Sequence, residues 1–277
     1  YIREAELSLY APIDHRFDGI LSMSAHDEDG VQHFELHEAV VSSDKLISGL
    51  NIRAGQFFLG VGRLNKIHRH DWPFIKAPKV FTQSFGGSEG LLDSGIELSY
   101  LFPSSFYLDL TVGVTNGWIY GHAHDKGTKP KTPTHYARLG TFFDGGDEIG
   151  LSLGLNFLGR TSSSGEKRQL FGLDGVAKGT IFGYKYLLQT ETWLSHLTQN
   201  EGETRESIGT YVFPQLSLSK STKAGIRFDY LTEISLKDAL GESLNNSDYS
   251  FVPTFTYESS EFALFKLAYN YSVSTMA

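Results

Sequence analysis

Ten histidines are spread unevenly along the 277-residue chain. His68 and His70 flank Arg69, and His122 and His124 flank Ala123, with Asp125 directly after. Imidazole and carboxylate groups suit zinc, and a site needs three or four converging ligands. Two His-x-His pairs on neighbouring loops are therefore a candidate metal centre made of His68, His70, His122 and His124. Hydrogen-bonded loop histidines at a polar mouth account for the same pattern. A third group, His33 and His37 about Glu35, has the i, i+2, i+4 spacing that shares one face of a strand. Nothing else in the chain asks for a cofactor, so zinc is the single candidate and none is required. No phosphate-binding glycine loop is present. Ser104, Ser105 and the run 162–164 lack the strand-to-helix context of a nucleophile elbow, and no Asp/His pair has a persuasive serine partner. The expectation is a protein that is not an enzyme. The chain has no cysteine, which removes disulfides and thiolate metal sites.

The elements that must hold these residues show in the alternation of side chains. In DEIGLSLGLNF (147–157), Ile149, Leu151, Leu153, Leu155 and Phe157 fall on one face, and Glu148, Gly150, Ser152, Gly154 and Asn156 on the other. A period of two marks a two-faced strand. The pattern recurs: Leu7 and Leu9 oppose Glu6 and Ser8, Leu108 to Val114 oppose Asp109 and Thr111, and Ile226 and Phe228 oppose Arg227 and Asp229. About 14 such segments can be read, each near the roughly 9–11 residues that a tilted strand needs to cross a bilayer. No run is long and apolar enough for a transmembrane helix, and no convincing amphipathic helix separates the strands. A mean hydropathy of -0.21 fits a membrane barrel, because alternation dilutes hydropathy.

The connections alternate in length. FPSS (102–105), DGGD (144–147), GTIFG (179–183), SKST (219–222) and ESSE (258–261) are short. Between them lie longer stretches near 63–92, 116–134, 159–167, 196–205 and 235–248. Short turns at one end and long loops at the other characterise outer-membrane barrels. The reading is therefore all-β: a single-domain transmembrane antiparallel up-and-down β-barrel over 1–277, with apolar faces to lipid and polar faces to a lumen. Bacterial barrels usually start and finish in the periplasm. The turn pattern puts the first and last visible strands the other way, so 16 strands in the intact protein is the simplest expectation. Glu38, beside Leu36 and Val40, would face lipid unless a bulge turns it inward.

The polar faces carry a mixed set of charges expected to line the lumen: Arg53, Glu97, Asp109, Arg138, Glu148, Lys178, Lys185, Glu191, Arg227, Asp229 and Lys266. Mixed signs predict no strong ion preference from the wall alone. The longest connection, 62–92, carries Trp72, Phe74, Phe81 and Phe85, which a solvated loop does not need. Long loops with apolar residues of their own are usually packed and functional. Folded into the barrel mouth, this one would place His68, His70, Trp72 and Phe74 at a constriction, with Gly86, Gly87 and Gly90 allowing the bends back to the wall. The expected function is passive passage of small polar solutes or ions across the outer membrane of a Gram-negative bacterium. A non-conducting surface or structural barrel is the alternative. The expected partners are membrane lipid, lipopolysaccharide and small solutes, and the oligomeric state is open. A net charge of -8 argues against nucleic acid.

The segment 53–78, RAGQFFLGVGRLNKIHRHDWPFIKAP, followed by FGGSEGLLDSGIELSYLFP (85–103), resembles a group of proteobacterial outer-membrane proteins. Their fingerprint has the form GR-x-N-x-x-H-x-H-x-W-x-F, then G-x-E-G-L leading into a strand. REAELSLYAPID (3–14), LFGLDG (170–175), GIRFDYL (225–231) and YESSEF (257–262) also look like that family's segments. Such proteins are often labelled zinc-regulated TonB-dependent receptors. The resemblance implies a porin-like outer-membrane barrel and a zinc connection carried by His68 and His70.

Overall fold

The computed structural model describes residues 4–28, 31–87, 90–117, 130–146, 148–199, 203–234 and 246–275. It is all-β apart from one short helix and two single 3-10 turns. The strands are β1 (Glu4–Pro12), β2 (Asp18–Glu28), β3 (Val31–Ile47), β4 (Leu50–Phe58), β5 (Leu92–Leu101), β6 (Tyr107–Thr115), β7 (Thr132–Asp144) and β8 (Ile149–Thr161). They continue with β9 (Lys167–Ile181), β10 (Tyr184–Thr198), β11 (Thr204–Ser217), β12 (Thr222–Glu233), β13 (Asn246–Ser260), β14 (Ala263–Ala268) and β15 (Tyr271–Ser274). Each strand from β1 to β14 pairs antiparallel with its sequence neighbour in one continuous up-and-down sheet. β15 runs on from β14 along the same partner, β13. The break between them faces Pro253, which has no N–H to give to a ladder.

The sheet is inside out. Leu153, Leu155, Phe171, Leu173, Ile226 and Phe255 are exposed, whereas Glu97, Arg138, Asp174, Glu191, Arg227 and Asp229 are buried. In a soluble sandwich the register would be the reverse. Leucines facing outward and charges facing inward satisfy a barrel wall in lipid. A lipid-facing Arg or Lys near the midplane would cost about 2–4 kcal/mol. The structure turns even the awkward Glu38 inward. Ser22 pairs with Glu38 and Met23 with Leu36, so His37 is the extra residue of a bulge. Both His37 and Glu38 then face the interior, while Leu36 stays outside.

The hairpins β8–β9 and β10–β11 pair as far as Thr161↔Lys167 and Thr198↔Thr204. The connections expected at 159–167 and 196–205 are therefore shorter, with strand running into both of their ends. At these ends polar residues follow one another, and the apolar alternation that marks a strand disappears.

The segment between β4 and β5 lies inside the sheet. Within it α1 (Lys79–Phe85) starts after Pro78 and stops at Gly86. Gly86 adopts φ 72° and its N–H bonds the Thr82 carbonyl, a left-handed cap that glycine supplies at least cost.

Candidate functional site

An inner belt of polar side chains runs around the wall at one level, fixed by cross-strand register. Arg53 pairs with Glu97, Thr111 with Arg138, Arg138 with Asn156, Asp174 with Glu191, Glu191 with Tyr211, Tyr211 with Asp229 and Asp229 with Ser250. Most of the belt's charges are matched. Arg53 Nε lies 2.7 Å from Glu97 Oε1. Arg138 holds Asp174 with two bonds of 2.8 and 3.2 Å, and the Asn156 amide adds a third of 2.7 Å. Arg227 Nε donates to Asp229 Oδ2 at 3.1 Å, where the Ser250 hydroxyl also donates at 2.7 Å. Asp174 and Glu191 stand directly opposite, so the Arg138 fork is what makes that like-charge pair tolerable. Glycines on the inner face make the room. A Cβ on Gly154 would lie 2.3 Å from Asp174 Oδ2 and 2.4 Å from Arg138 Nη2.

The belt holds the segment 59–91 by its backbone. Glu97 accepts from Gly60 N at 2.9 Å and from the Tyr136 hydroxyl at 2.6 Å. Asn156 accepts from Gly62 N at 2.7 Å, and Glu191 accepts from Leu64 N at 2.8 Å. Across the lumen Arg227 donates to the Lys76 and Ala77 carbonyls, and Lys266 donates to those of His70 and Trp72. Asn65 ties the two ends of the segment, donating to Leu59 O at 2.8 Å and accepting from Leu91 N at 2.6 Å.

The segment also brings its own core. Trp72, Phe74, Phe81 and Phe85 are 0 to 1 % exposed and pack with Trp193, Tyr211 and Phe213 of the wall. The rings meet edge to face, Trp72–Phe81 at 5.0 Å and Phe85–Trp193 at 5.0 Å between centroids. The Arg227 guanidinium sits 4.5 Å over the Phe74 ring. Burying each large apolar side chain contributes about 1.5–3 kcal/mol.

Among the described residues, two clefts lie beside the segment. One of about 500 Å³ is lined by Arg53, Lys66, His68, Glu38, Glu97 and Asp109 among others. The second, of about 230 Å³, lies under Arg63 and Trp72 against β9 to β14. Both reach toward the short-turn end, since Gly49, Leu101, Lys178 and Glu258 in their walls flank those turns. Lys66 projects from the segment, and its pKa is pushed down to about 8 by burial and by the nearby Arg138.

At the first cleft's edge the histidines gather. His68 Nδ1 lies 3.0 Å from Glu6 Oε2, and its Nε2 lies 3.1 Å from Glu38 Oε2. The hydrogen bond to Glu38 is the main force holding the His68 pKa above its ordinary value, with the charges of Glu6 and Glu38 adding to it. His70 Nδ1 is 4.0 Å from Glu6 and His37 Nδ1 is 3.4 Å from it. Among the described residues, Glu6, His68 and His70 bring one ligand atom each within 4.8 Å of one another.

The structure sorts the residues expected from sequence. Arg53, Glu97, Asp109, Arg138, Lys178, Glu191, Arg227, Asp229 and Lys266 share the inner face, and Lys185 sits on it at the short-turn rim. Glu148 does not line the wall: β8 begins at Ile149, and Glu148 is an exposed turn residue before it. Trp72 and Phe74 are buried in the segment rather than bared at an aperture. His122 and His124 lie outside the described residues. Ser104 lies on the β5–β6 turn, where its hydroxyl donates to the Phe106 carbonyl, and Ser162 and Ser164 bond each other on the β8–β9 turn. Sequence reasoning missed Asp174, although it shares the parity of Lys178. It also missed Tyr136, Trp193 and Tyr211, whose signal was an aromatic ring in a polar register. Glu6 gave no local signal, since its partner stands 62 positions away.

No family model matches the chain. An uncharacterized protein of Aquifex aeolicus is 28 % identical over 263 residues, covering 84 % of this chain and 55 % of its own length. The chain thus spans about half the length of that relative. Among solved structures, the trimer form of OmpT, an outer membrane protein of Vibrio cholerae, superposes with a TM-score of 0.64 at 10 % identity. It covers 99 % of this chain and 81 % of that one. The outer membrane channel DcaP of Acinetobacter baumannii gives 0.60 at 11 % identity over 97 % and 78 % of the two chains. An anion-selective porin of Comamonas acidovorans gives 0.59 at 11 % over 93 % and 74 %. The fold is an outer-membrane β-barrel. At these identities the likeness is one of fold, shared with porins of Gram-negative bacteria.

Proposed function

We propose that this chain is a passive channel of the outer membrane for small polar solutes or ions, and that the 59–91 segment sets its aperture. The observation that carries the reading is the inward belt of charges and the segment it suspends across the lumen, with two polar clefts left at the segment's sides. Lipid and lipopolysaccharide are the partners of the outer face.

The zinc link belongs to the same proposal. Two imidazoles and one carboxylate are a set that zinc uses with a fourth position open. The donor atoms of Glu6, His68 and His70 suit it, and Glu38 would orient the His68 ring from behind. A bound ion would cross-link the segment to β1 and bias the pore toward closure. A second reading, a plugged barrel that does not conduct, is favoured by the aromatic packing of Trp72, Phe81 and Phe85 against Trp193.

Single-channel conductance in a planar bilayer tests these readings, with and without micromolar zinc, for the parent and for His68→Ala/His70→Ala. Steady conductance that zinc blocks only in the parent supports the channel and the site. Conductance indifferent to zinc removes the metal. Silent but folded barrels favour the plug.

A further inference from the structure

We propose that the cleft under the segment on the β9–β14 side binds small, doubly charged oxyanions such as dicarboxylates. The proposal rests on the channel reading for its access to solute, but the binding itself does not depend on conduction.

Four cations line this cleft, Arg63, Lys178, Lys223 and Lys266, against two acids, Asp71 and Glu258. One acid is already used, since Lys223 is ion-paired to Glu258. The other, Asp71, is 68 % exposed, lies 3.6 Å from His70 and acts on Lys266 only through its charge, without an ion-pair contact. Lys266 spends its ammonium on the carbonyls of His70 and Trp72, which neutralise no charge. Among the described residues Lys178 has no ion-pair partner, and Arg63 Nε is a buried N–H with no acceptor. The lining is thus left with two positive charges more than negative ones. The opposite cleft is built differently: Glu38, Glu97 and Asp109 face Arg53 and Lys66 there.

An excess of cations in a recess with low-dielectric walls concentrates anions. The recess also offers donors suited to a carboxylate, the amides of Gln189 and Gln215 and the Thr256 hydroxyl. Its volume of about 230 Å³ is enough for a small dianion. Trp72 forms part of the lining, so a bound anion would rest on the segment itself.

The test is isothermal titration of the folded barrel in nonionic detergent with succinate and, separately, with acetate. The parent is expected to give saturable heat with succinate and weaker binding of acetate. Arg63→Gln/Lys178→Gln is expected to lose at least about tenfold in succinate affinity, each neutralised charge acting over a few ångströms. Lys220→Gln, on an exposed turn outside the cleft, is expected to match the parent. If the double variant does not fold, Lys178→Gln alone, at the open end of the cleft, carries the comparison. No saturable heat with the parent, or equal affinity in the cleft variant, overturns the proposal. Conductance of the same samples separates the two ideas. A conducting barrel without succinate binding removes the cleft and keeps the channel. A silent barrel that binds succinate does the reverse.

Discussion

Replacing Arg138 by methionine removes the one guanidinium that grips Asp174, while keeping most of the apolar stem in place. Both residues are nearly inaccessible, at 6 % and 5 %, and Glu191 opposite Asp174 is at 1 %. Two bonds of 2.8 and 3.2 Å vanish, and two carboxylates are left facing each other with only the Asn156 amide still on Asp174. Breaking a buried pair from one side costs about 3–5 kcal/mol, because the surviving charge is uncompensated. That is a shift of about two to four powers of ten in the folded-to-unfolded ratio. Arg138→Met/Asp174→Leu removes both charges and should recover most of the loss, since a matched apolar replacement of a buried pair is often neutral or stabilising. The assay is urea unfolding of the barrel in detergent, followed by tryptophan fluorescence, with unchanged denaturant slope as the control. A single variant within about 1 kcal/mol of the parent, or a double variant no better than the single, would refute the claim that this pair holds the belt.

Three further outcomes are expected. Trp72→Ala deletes the largest side chain of the segment's core and should lower stability by about 3–5 kcal/mol in the same assay. Gly154→Ala forces a methyl into the Arg138–Asp174 contact and should cost about 1–3 kcal/mol, while Gly183→Ala, whose Cβ meets nothing within 4 Å although its φ is +81°, should cost less. In the presence of a chelator, the raised pKa of His68 makes its bonds to Glu6 and Glu38 stabilising below the unfolded value near 6.5. That stability is lost as pH rises through the folded value, so raising the pH above the unfolded value should cost the parent unfolding free energy that His68→Gln does not lose.

Much of the fold is legible in residues 149–157, because a wall that separates lipid from water must alternate at every position. The bulge at His37 was legible too: a carboxylate on a lipid face must be turned away. Strand ends were not, because Arg160, Thr161, Lys167 and Arg168 are polar at successive positions, so the apolar alternation that marks a strand stops before the pairing does. The candidate site was half legible. The histidine spacing marked the segment, and its aromatic residues marked it as packed. The ligand set was not readable, because Glu6 reaches His68 only through sheet curvature and loop insertion, which no local pattern encodes. Glu148 misled for a related reason: parity continues formally into a turn after the wall has ended.

On the proposed reading, the 59–91 segment, suspended on Glu97, Asn156, Glu191 and Arg227, sets the aperture of a conducting barrel. The most direct measurement is single-channel conductance of the parent beside a variant in which residues 64–90 are replaced by a short glycine-serine linker, both shown to be folded by heat-modifiable migration. A small, steady conductance is expected for the parent and a severalfold larger one for the variant. Equal conductance in both, or none in either, would contradict the proposed reading.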